Sequence, residues 1–333
     1  MEKMFLIPEY DNYDKIIVFF SGGKDSVACV LELLDNGVKP EKIELHHHSI
    51  DGREGELFMD WACTEGYCQA FADALGIDIY FSWKEGGFEA ELLREDTSTA
   101  PIVFENDNKV AIKSGGNSQH KGTRLKFPAP VASLQTRWCS AYLKVDVGDR
   151  LIRKQIRFAN GRSYLVISGE RAEESPARAK YNQFEKHRVG NQDSKNRRVT
   201  RNIDHFRSVH QYKEQRIWDM MRAYSINPHP AYHVGFGRTS CMTCIFGSPS
   251  QWATIREYAP ERFQKILDYE KQFNHTISMD GKSFIDALAD KGSVYDVEDG
   301  YFEIANSREY KESIIVNNWQ YPSGAFGENC GAI

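Results

Sequence analysis

The chain has 333 residues, of which 41% are hydrophobic and 27% charged, and its formal net charge is −5. That length allows one large domain with an appendage or two modest ones, and the composition excludes a disordered, fibrous or generally basic nucleic-acid-binding chain. The longest apolar run, around residues 16–20, is far too short to span a membrane. Residues 1–5 lack the apolar core and small-residue cleavage site of a signal peptide, so a cytoplasmic chain with no membrane partner is expected. Seven cysteines, an odd number without secretory context, point to a reducing compartment where thiols serve metals or chemistry.

Residues 15–20 (Lys-Ile-Ile-Val-Phe-Phe) read as a buried parallel strand. Past Gly22 and Gly23, Val27, Val30, Leu31 and Leu34 recur at helical spacing until Asn36-Gly37 ends the helix. A second strand is predicted over 43–48, a second helix over 57–75 closed by Gly76, and a third strand over 77–83. This alternation predicts an α/β fold built on a doubly wound parallel sheet. Residues 95–130 are polar and aperiodic, a long functional loop with room for a hairpin. A helix over 138–154 and a strand over 163–168 follow. The charged span 185–202 is expected to order on ligand binding, and 212–224 is an amphipathic helix. Beyond Pro228 and Pro230 come a cysteine pair and helices near 251–258, 260–273 and 283–290. A boundary near 225 therefore separates domain 1–225 from a mostly helical, cysteine-containing region, 226–333.

Ser21-Gly22-Gly23-Lys24-Asp25-Ser26 between strand and helix is an anion cradle. Glycines let consecutive amides turn inward, and the helix N-terminus adds partial positive charge. Ser21 and Ser26 add hydroxyl donors and Lys24 a full charge. Asp25 fits a helix cap or a water-mediated Mg²⁺ contact, the cap being favoured. The loop lacks the four-residue gap of the Walker pattern. Residues 178–216 hold eleven Lys or Arg against four acids, which suits a polyanion and equally a solvated ion-paired loop. Of the consecutive histidines 46–48, alternate residues face opposite sides of a strand, so they read as sheet positions rather than a metal tract, with His48 expected near the bound nucleotide.

The loop resembles the PP-loop of N-type ATP pyrophosphatases and sulfonucleotide (phosphoadenosine phosphosulfate, PAPS) reductases, a likeness covering roughly residues 15–250. The resemblance implies an adenine nucleotide α-hydrolase-like fold that binds ATP with Mg²⁺. It places Asp51, in Ile50-Asp51-Gly52, near the adenosine half. Gly169-Glu170-Arg171-Ala172-Glu173-Glu174-Ser175-Pro176-Ala177-Arg178 resembles the family's Gly-x-Arg-x-x-Glu-Ser segment. Gly169, Ser175 and Arg178 are then nucleotide contacts, Arg171 and Arg178 bind phosphate or sulfate oxygens, and Glu174 orients an arginine or a metal. Lys24, Asp25, Arg171 and Glu174 form the implied catalytic set.

Trp138-Cys139-Ser140 with Lys144 resembles the reductases' Cys-Cys-x-x-x-Lys, with Trp where the first cysteine would stand. Cys139 with the spaced pair Cys241 and Cys244 gives three candidate metal ligands. In related proteins corresponding cysteines hold a [4Fe–4S] cluster, whose usual set is four cysteines. Here a three-cysteine cluster, a fourth ligand such as Cys330, zinc with His229 or His233, and no metal at all stay open. Cys29 reads as core, and Cys63 and Cys68 as core or surface thiols.

The chain ends Glu328-Asn329-Cys330-Gly331-Ala332-Ile333, where the reductases carry Glu-Cys-Gly-Leu-His. The segments His47-His48-Ser49-Ile50-Asp51-Gly52-Arg53, Phe58-Met59-Asp60-Trp61, Asn227-Pro228-His229-Pro230-Ala231-Tyr232, Ser240-Cys241-Met242-Thr243-Cys244 and Tyr321-Pro322-Ser323-Gly324 instead resemble the ATP pyrophosphatases of DNA phosphorothioation systems. That likeness implies adenylation of a DNA backbone phosphate, with sulfur supplied by a cysteine desulfurase or another sulfur-transfer partner. A thioredoxin-dependent sulfonucleotide reductase and a non-catalytic nucleotide-binding scaffold are the alternatives.

Overall fold

The apolar run folds as β1 (Lys15–Phe19), with Ile16, Ile17 and Val18 fully buried. Successive strand side chains point to opposite faces, so Ile16, Val18 and Phe20 enter one core while Ile17 and Phe19 enter another. Such a strand belongs in the middle of a sheet covered on both sides. The structure, a computed structural model, describes residues 8–131, 133–159, 161–191, 199–239 and 241–327.

β2 (Ile43–Ser49) and β6 (Ser163–Ile167) flank β1 in parallel, and β3 (Asp78–Lys84) and β8 (Asn202–Phe206) extend the parallel set outward. The hairpin β4 (Ile102–Glu105) and β5 (Ala111–Ser114) adds antiparallel strands at one edge, and β7 (Phe184–Lys186) at the other. The order is β5-β4-β3-β2-β1-β6-β8-β7. From β1 the chain winds outward through β2 and β3, then crosses to β6 and β8. β1 and β6 thus flank the point where the winding reverses, the place where doubly wound sheets leave a crevice at their carboxyl edge. The α/β, doubly wound architecture expected from the sequence is the one observed.

Helices α1 (Lys24–Asp35), α2 (Thr64–Leu75) and α6 (Glu214–Ala223) cover one face. The other is covered by α5 (Asp146–Lys154), reached from α4 (Trp138–Ser140) through a π turn at Ala141–Val145. The short helices α3 (Gly87–Leu92), α7 (Pro230–His233) and α11 (Tyr301–Ala305) join α8 (Pro249–Tyr258), α9 (Pro260–Phe273) and α10 (Ile285–Ala289) in a third core. Trp61, Trp138 and Trp252 meet there, so this core draws on residues from both sides of position 225.

Two expectations are corrected. Helix α2 starts at Thr64 rather than at 57, because the Asp51 carboxylate accepts the amides of Phe58 (3.0 Å), Met59 (2.8 Å) and Asp60 (2.8 Å) and holds them as a loop. Strands β7 and β8 are not among the expected elements: β7 overlaps the start of the span read as charged, and β8 lies almost wholly beyond its end. β8 has two buried apolar residues, Ile203 and Phe206, while its Asp204 accepts the Tyr13 hydroxyl at 2.9 Å. The segment 95–130 does contain a hairpin. No helix among the described residues is long and apolar enough to cross a membrane.

Candidate functional site

Between β1 and α1 the chain turns through Gly22, at φ +76°, where a Cβ would lie 3.1 Å from Cys68 Sγ. Glycine alone takes that conformation without strain. At Gly23 a Cβ would fall 2.3 Å from Thr239 Oγ1, so the 237–239 segment lies directly on the loop. Ser26 Oγ donates to the Gly23 carbonyl at 2.9 Å and accepts the Ser21 amide at 3.3 Å. Helix geometry leaves the amides of Asp25 and Ser26 without intrahelical acceptors, at the positive end of the helix dipole. Ser21, Asp25 and Ser26 line a cavity of about 380 Å³ at the carboxyl ends of β1, β2, β6 and β8. Its size and its position at the reversal point are those of a small-molecule site.

Lys24 is placed differently. Its side chain is buried beneath the loop, where Nζ donates to the Gly237 carbonyl at 3.0 Å, pairs with Glu214 at 3.3 Å and sits 5.5 Å over the Tyr232 ring. Burial opposes the charge, but Tyr232, Asp25 and Glu214 outweigh it and raise the pKa, so the ammonium persists. Lys24 therefore clamps the loop to the 237–239 segment. Asp25 is not the helix cap. The cap residue is Gly23, without a side-chain bond, and Asp25 Oδ1 instead accepts Arg171 Nε at 2.5 Å. A charge-assisted bond of that kind is stronger than a bond to a neutral amide.

The facing wall follows β6. A Cβ at Gly169 would lie 3.0 Å from the Asp25 carbonyl carbon, so this glycine lets the two walls close. Arg171, 2% exposed, binds Asp25 and Glu173. Glu174 accepts the Arg171 amide at 2.8 Å and pairs with Arg178. Ser175 Oγ accepts the Arg178 amide at 3.2 Å. Gly169, Glu174 and Arg178 line the cavity, while Arg171 and Ser175 stand behind them. His48 also lines it, its Nδ1 2.7 Å from Ser82 Oγ, and burial drives its pKa well down. Asp51 lies outside this cavity, its carboxylate engaged by the loop amides.

Several lining residues were not singled out by sequence reasoning. Asp60 faces the cavity, and burial, reinforced by the Asp51 charge, raises its pKa to about 7. Ser168 Oγ donates to Glu170, which leaves His205 Nε2, 2.6 Å away, as donor to the same oxygen. Burial and then Arg207 lower the His205 pKa to about 4, so this ring is neutral near pH 7. Lys144, Arg188 and Arg238 add cations to the lining. Asp60 lay in a predicted helix and His205 on an unpredicted strand, so neither stood out by periodicity.

Cys139 and Cys241 each lie near Cys244. Burial, then the nearby Cys244, pushes the Cys139 thiol to about 11, and burial followed by Asp60 raises that of Cys241. Among the described residues, no three His, Cys, Asp or Glu side chains are grouped so as to hold a metal ion. Cys139, Cys241 and Cys244, the three candidate ligands, are therefore not part of such a group among the described residues. His229 and His233 are engaged elsewhere, by the Ala231 amide (3.2 Å) and by Glu298 (2.7 Å). Cys330 lies outside the described residues. Cys29 is a buried core thiol, and Cys63 and Cys68 are buried as well.

No protein-family profile matches the chain. No curated protein matches it either. Among solved structures, it aligns with the Candida glabrata FMN adenylyltransferase in complex with FAD and inorganic pyrophosphate, at 10% identity and a TM-score of 0.38 over 71% of this chain. The same enzyme in complex with FMN and the ATP analogue AMPCPP aligns at 10% identity and a TM-score of 0.33 over 69% of this chain. The chain spans 59% and 56% of those two chains. Likeness at this level carries no inference about activity.

Proposed function

We propose that the chain is an ATP pyrophosphatase that binds an adenine nucleotide between β1 and β6 and adenylates an oxygen of an acceptor. The observation that supports this reading best is the convergence on one cavity of Ser21, Asp25 and Ser26 from the loop with Gly169, Glu174 and Arg178 from the facing wall. A helix N-terminus, hydroxyl donors and an arginine suit a polyphosphate, which carries several negative oxygens within a few ångströms. Attack on the α-phosphorus would form the adenylated acceptor and release pyrophosphate. Arg178 and the loop amides are placed to take up the charge that develops on the leaving group.

Mg²⁺ takes one or two carboxylates together with phosphate oxygens, so it needs no three-residue cage. Asp25 and Glu174 line the cavity and fit that role, each paired with an arginine, Arg171 and Arg178 respectively. When bound, the ion would neutralise pyrophosphate charge. Asp60, poised to exchange a proton near neutral pH, is placed to act as acid or base on the acceptor side.

The acceptor in this reading is a DNA backbone phosphate, with sulfur from a cysteine desulfurase replacing an oxygen, as the sequence resemblance implies. The cationic span 178–216 contributes Arg178 and Arg188 to the cavity lining, which supports a polyanionic acceptor. Incubating the purified chain with Mg²⁺ and ATP, with and without duplex DNA, tests the proposal. Pyrophosphate release that DNA stimulates is expected. No release under either condition would overturn it, and sulfite release from a sulfonucleotide with thioredoxin would select reduction instead.

A further inference from the structure

A second cavity, of about 270 Å³, lies between the start of β4, the glycine turn after β5 and helix α5. Its cationic lining is Lys84, Arg150, Arg153 and Lys154, against the carboxylates of Asp146 and Asp149. Asp149 is already engaged, at 2.6 Å by Arg188 and at 3.5 Å by Arg153. Lys84, Arg150 and Lys154 then face one remaining carboxylate, Asp146, so the cavity keeps an excess of positive charge.

Lys84 stands at the carboxyl end of β3 and is 2% exposed. Its ammonium donates to Thr99 Oγ1 at 2.7 Å and towards the Ala100 carbonyl at 3.4 Å, with no ion pair among the described residues. Burying an ammonium without a carboxylate partner is costly. Burial lowers its pKa; Glu91 and Asp146 recover part of that, and Arg94 and Arg150 work against them. Arg150 also makes no ion pair among the described residues. Its guanidinium lies along Gly115, 3.5 Å from where a Cβ would stand. Gly115 and Gly116 adopt φ of +90° and +82°, so the turn that faces the guanidinium carries no side chain to cover it. Two cations from different elements thus converge on a space large enough for a tetrahedral oxyanion, bordered by a hydroxyl and by bare backbone.

The geometry points to a second oxyanion site here, taking a phosphate group between Lys84 and Arg150. It is separate from the nucleotide cavity. The two are walled from each other by the Asp149–Arg188 pair, Arg188 lining one and Asp149 the other. The phosphate can belong to a free phosphate ester or to a nucleic-acid backbone reaching across α5, and both present the same oxygens to Lys84 and Arg150. The site does not depend on the reaction assigned to the first cavity.

The test is calorimetric titration of the full chain with inorganic phosphate, accompanied by crystals soaked in tungstate to locate the oxyanion. Anomalous density between Lys84 and Arg150 is expected. Arg150→Glu, at a partly exposed position, should abolish that density and weaken phosphate binding by about tenfold or more, the effect of losing one charge-assisted contact. Lys84→Met should do the same; should it fold poorly, the Arg150 variant decides alone. Displacement of phosphate by a short DNA duplex would assign the site to a phosphodiester backbone, and retention would assign it to a free phosphate ester. Tungstate absent from this cavity, or phosphate affinity unchanged in Arg150→Glu, overturns the inference.

Discussion

Arg171 Nε donates to Asp25 Oδ1 at 2.5 Å, tying the first turn of α1 to the segment that follows β6. The two strands beneath this bond, β1 and β6, are neighbours in the sheet yet far apart in the chain. The pair therefore fixes the width of the crevice between them. Arg171 is 2% exposed and also binds Glu173, so its removal would leave Asp25 with only the more distant Lys24 (4.0 Å) and Glu173 with Lys213 (3.6 Å). Arg171→Ala is expected to lower unfolding free energy by about 1–3 kcal/mol, the range for losing a hydrogen bond to a charged group whose partners are partly exposed. Arg171→Lys should recover part of it, since the charge returns without the planar fork. Urea denaturation of the three proteins checks this, and equal midpoints would remove the pair from any structural role.

Gly23 and Thr239 form a steric pair. Alanine at 23 would set a methyl 2.3 Å from Thr239 Oγ1, whereas the Thr239 Cβ would remain 3.7 Å away, an ordinary contact. Gly23→Ala should therefore destabilise by about 1–3 kcal/mol through overpacking. Adding Thr239→Ala should restore most of that loss, giving a coupling of about 1 kcal/mol or more in a double-mutant cycle. Additive effects would mean that residues 237–239 do not rest on the loop.

Asp51 serves the fold. Its carboxylate accepts three backbone amides, those of Phe58, Met59 and Asp60. Asp51→Ala would orphan these donors in a buried loop, at about 1–3 kcal/mol for each one left unsatisfied. Thermal unfolding should drop sharply, while nucleotide affinity measured below the transition should fall only as far as Asp60 is displaced. A loss of affinity with unchanged stability would return Asp51 to the nucleotide.

Asp60 gives a pH signature. Unfolded, it titrates near the ordinary aspartate value of about 4, and folded near about 7. Between those values the folded chain holds the extra proton, so stability falls as pH rises. The contribution of neutral Asp60 is complete below about pH 4 and lost as pH passes about 7. Asp60→Asn keeps an acceptor for the Trp61 amide and does not titrate. The stability of the wild type relative to this variant should therefore fall between pH 4 and pH 8. Parallel curves from urea titrations at the two ends would contradict the assignment.

Much of the sheet was legible because its strands announce themselves by burial. The all-apolar centre of β1 and the glycine stops at Gly37 and Gly76 are local signals that tertiary structure left intact. β8 was not legible, since Asn202, Asp204 and His205 are satisfied by partners distant in sequence, Tyr13 among them. The start of α2 failed for a similar reason: one carboxylate, Asp51, overrides helical periodicity over residues 58–60. At the site, the loop could be read from its residues, but which side chains face the cavity could not. Lys24 looks like a phosphate ligand in sequence, and only the positions of Gly237 and Glu214 reveal it as a clamp. The metal set illustrates the converse, because the spacing of Cys241 and Cys244 permits chelation while the third ligand depends on packing.

The most direct measurement of the central claim is a crystal structure of the chain with Mg²⁺ and an ATP analogue that cannot be cleaved between the α- and β-phosphates. The expected result is a triphosphate in the crevice between β1 and β6, with its oxygens on Ser26, the first amides of α1 and Arg178. Clear density for the analogue at another surface, with that crevice empty, would contradict it.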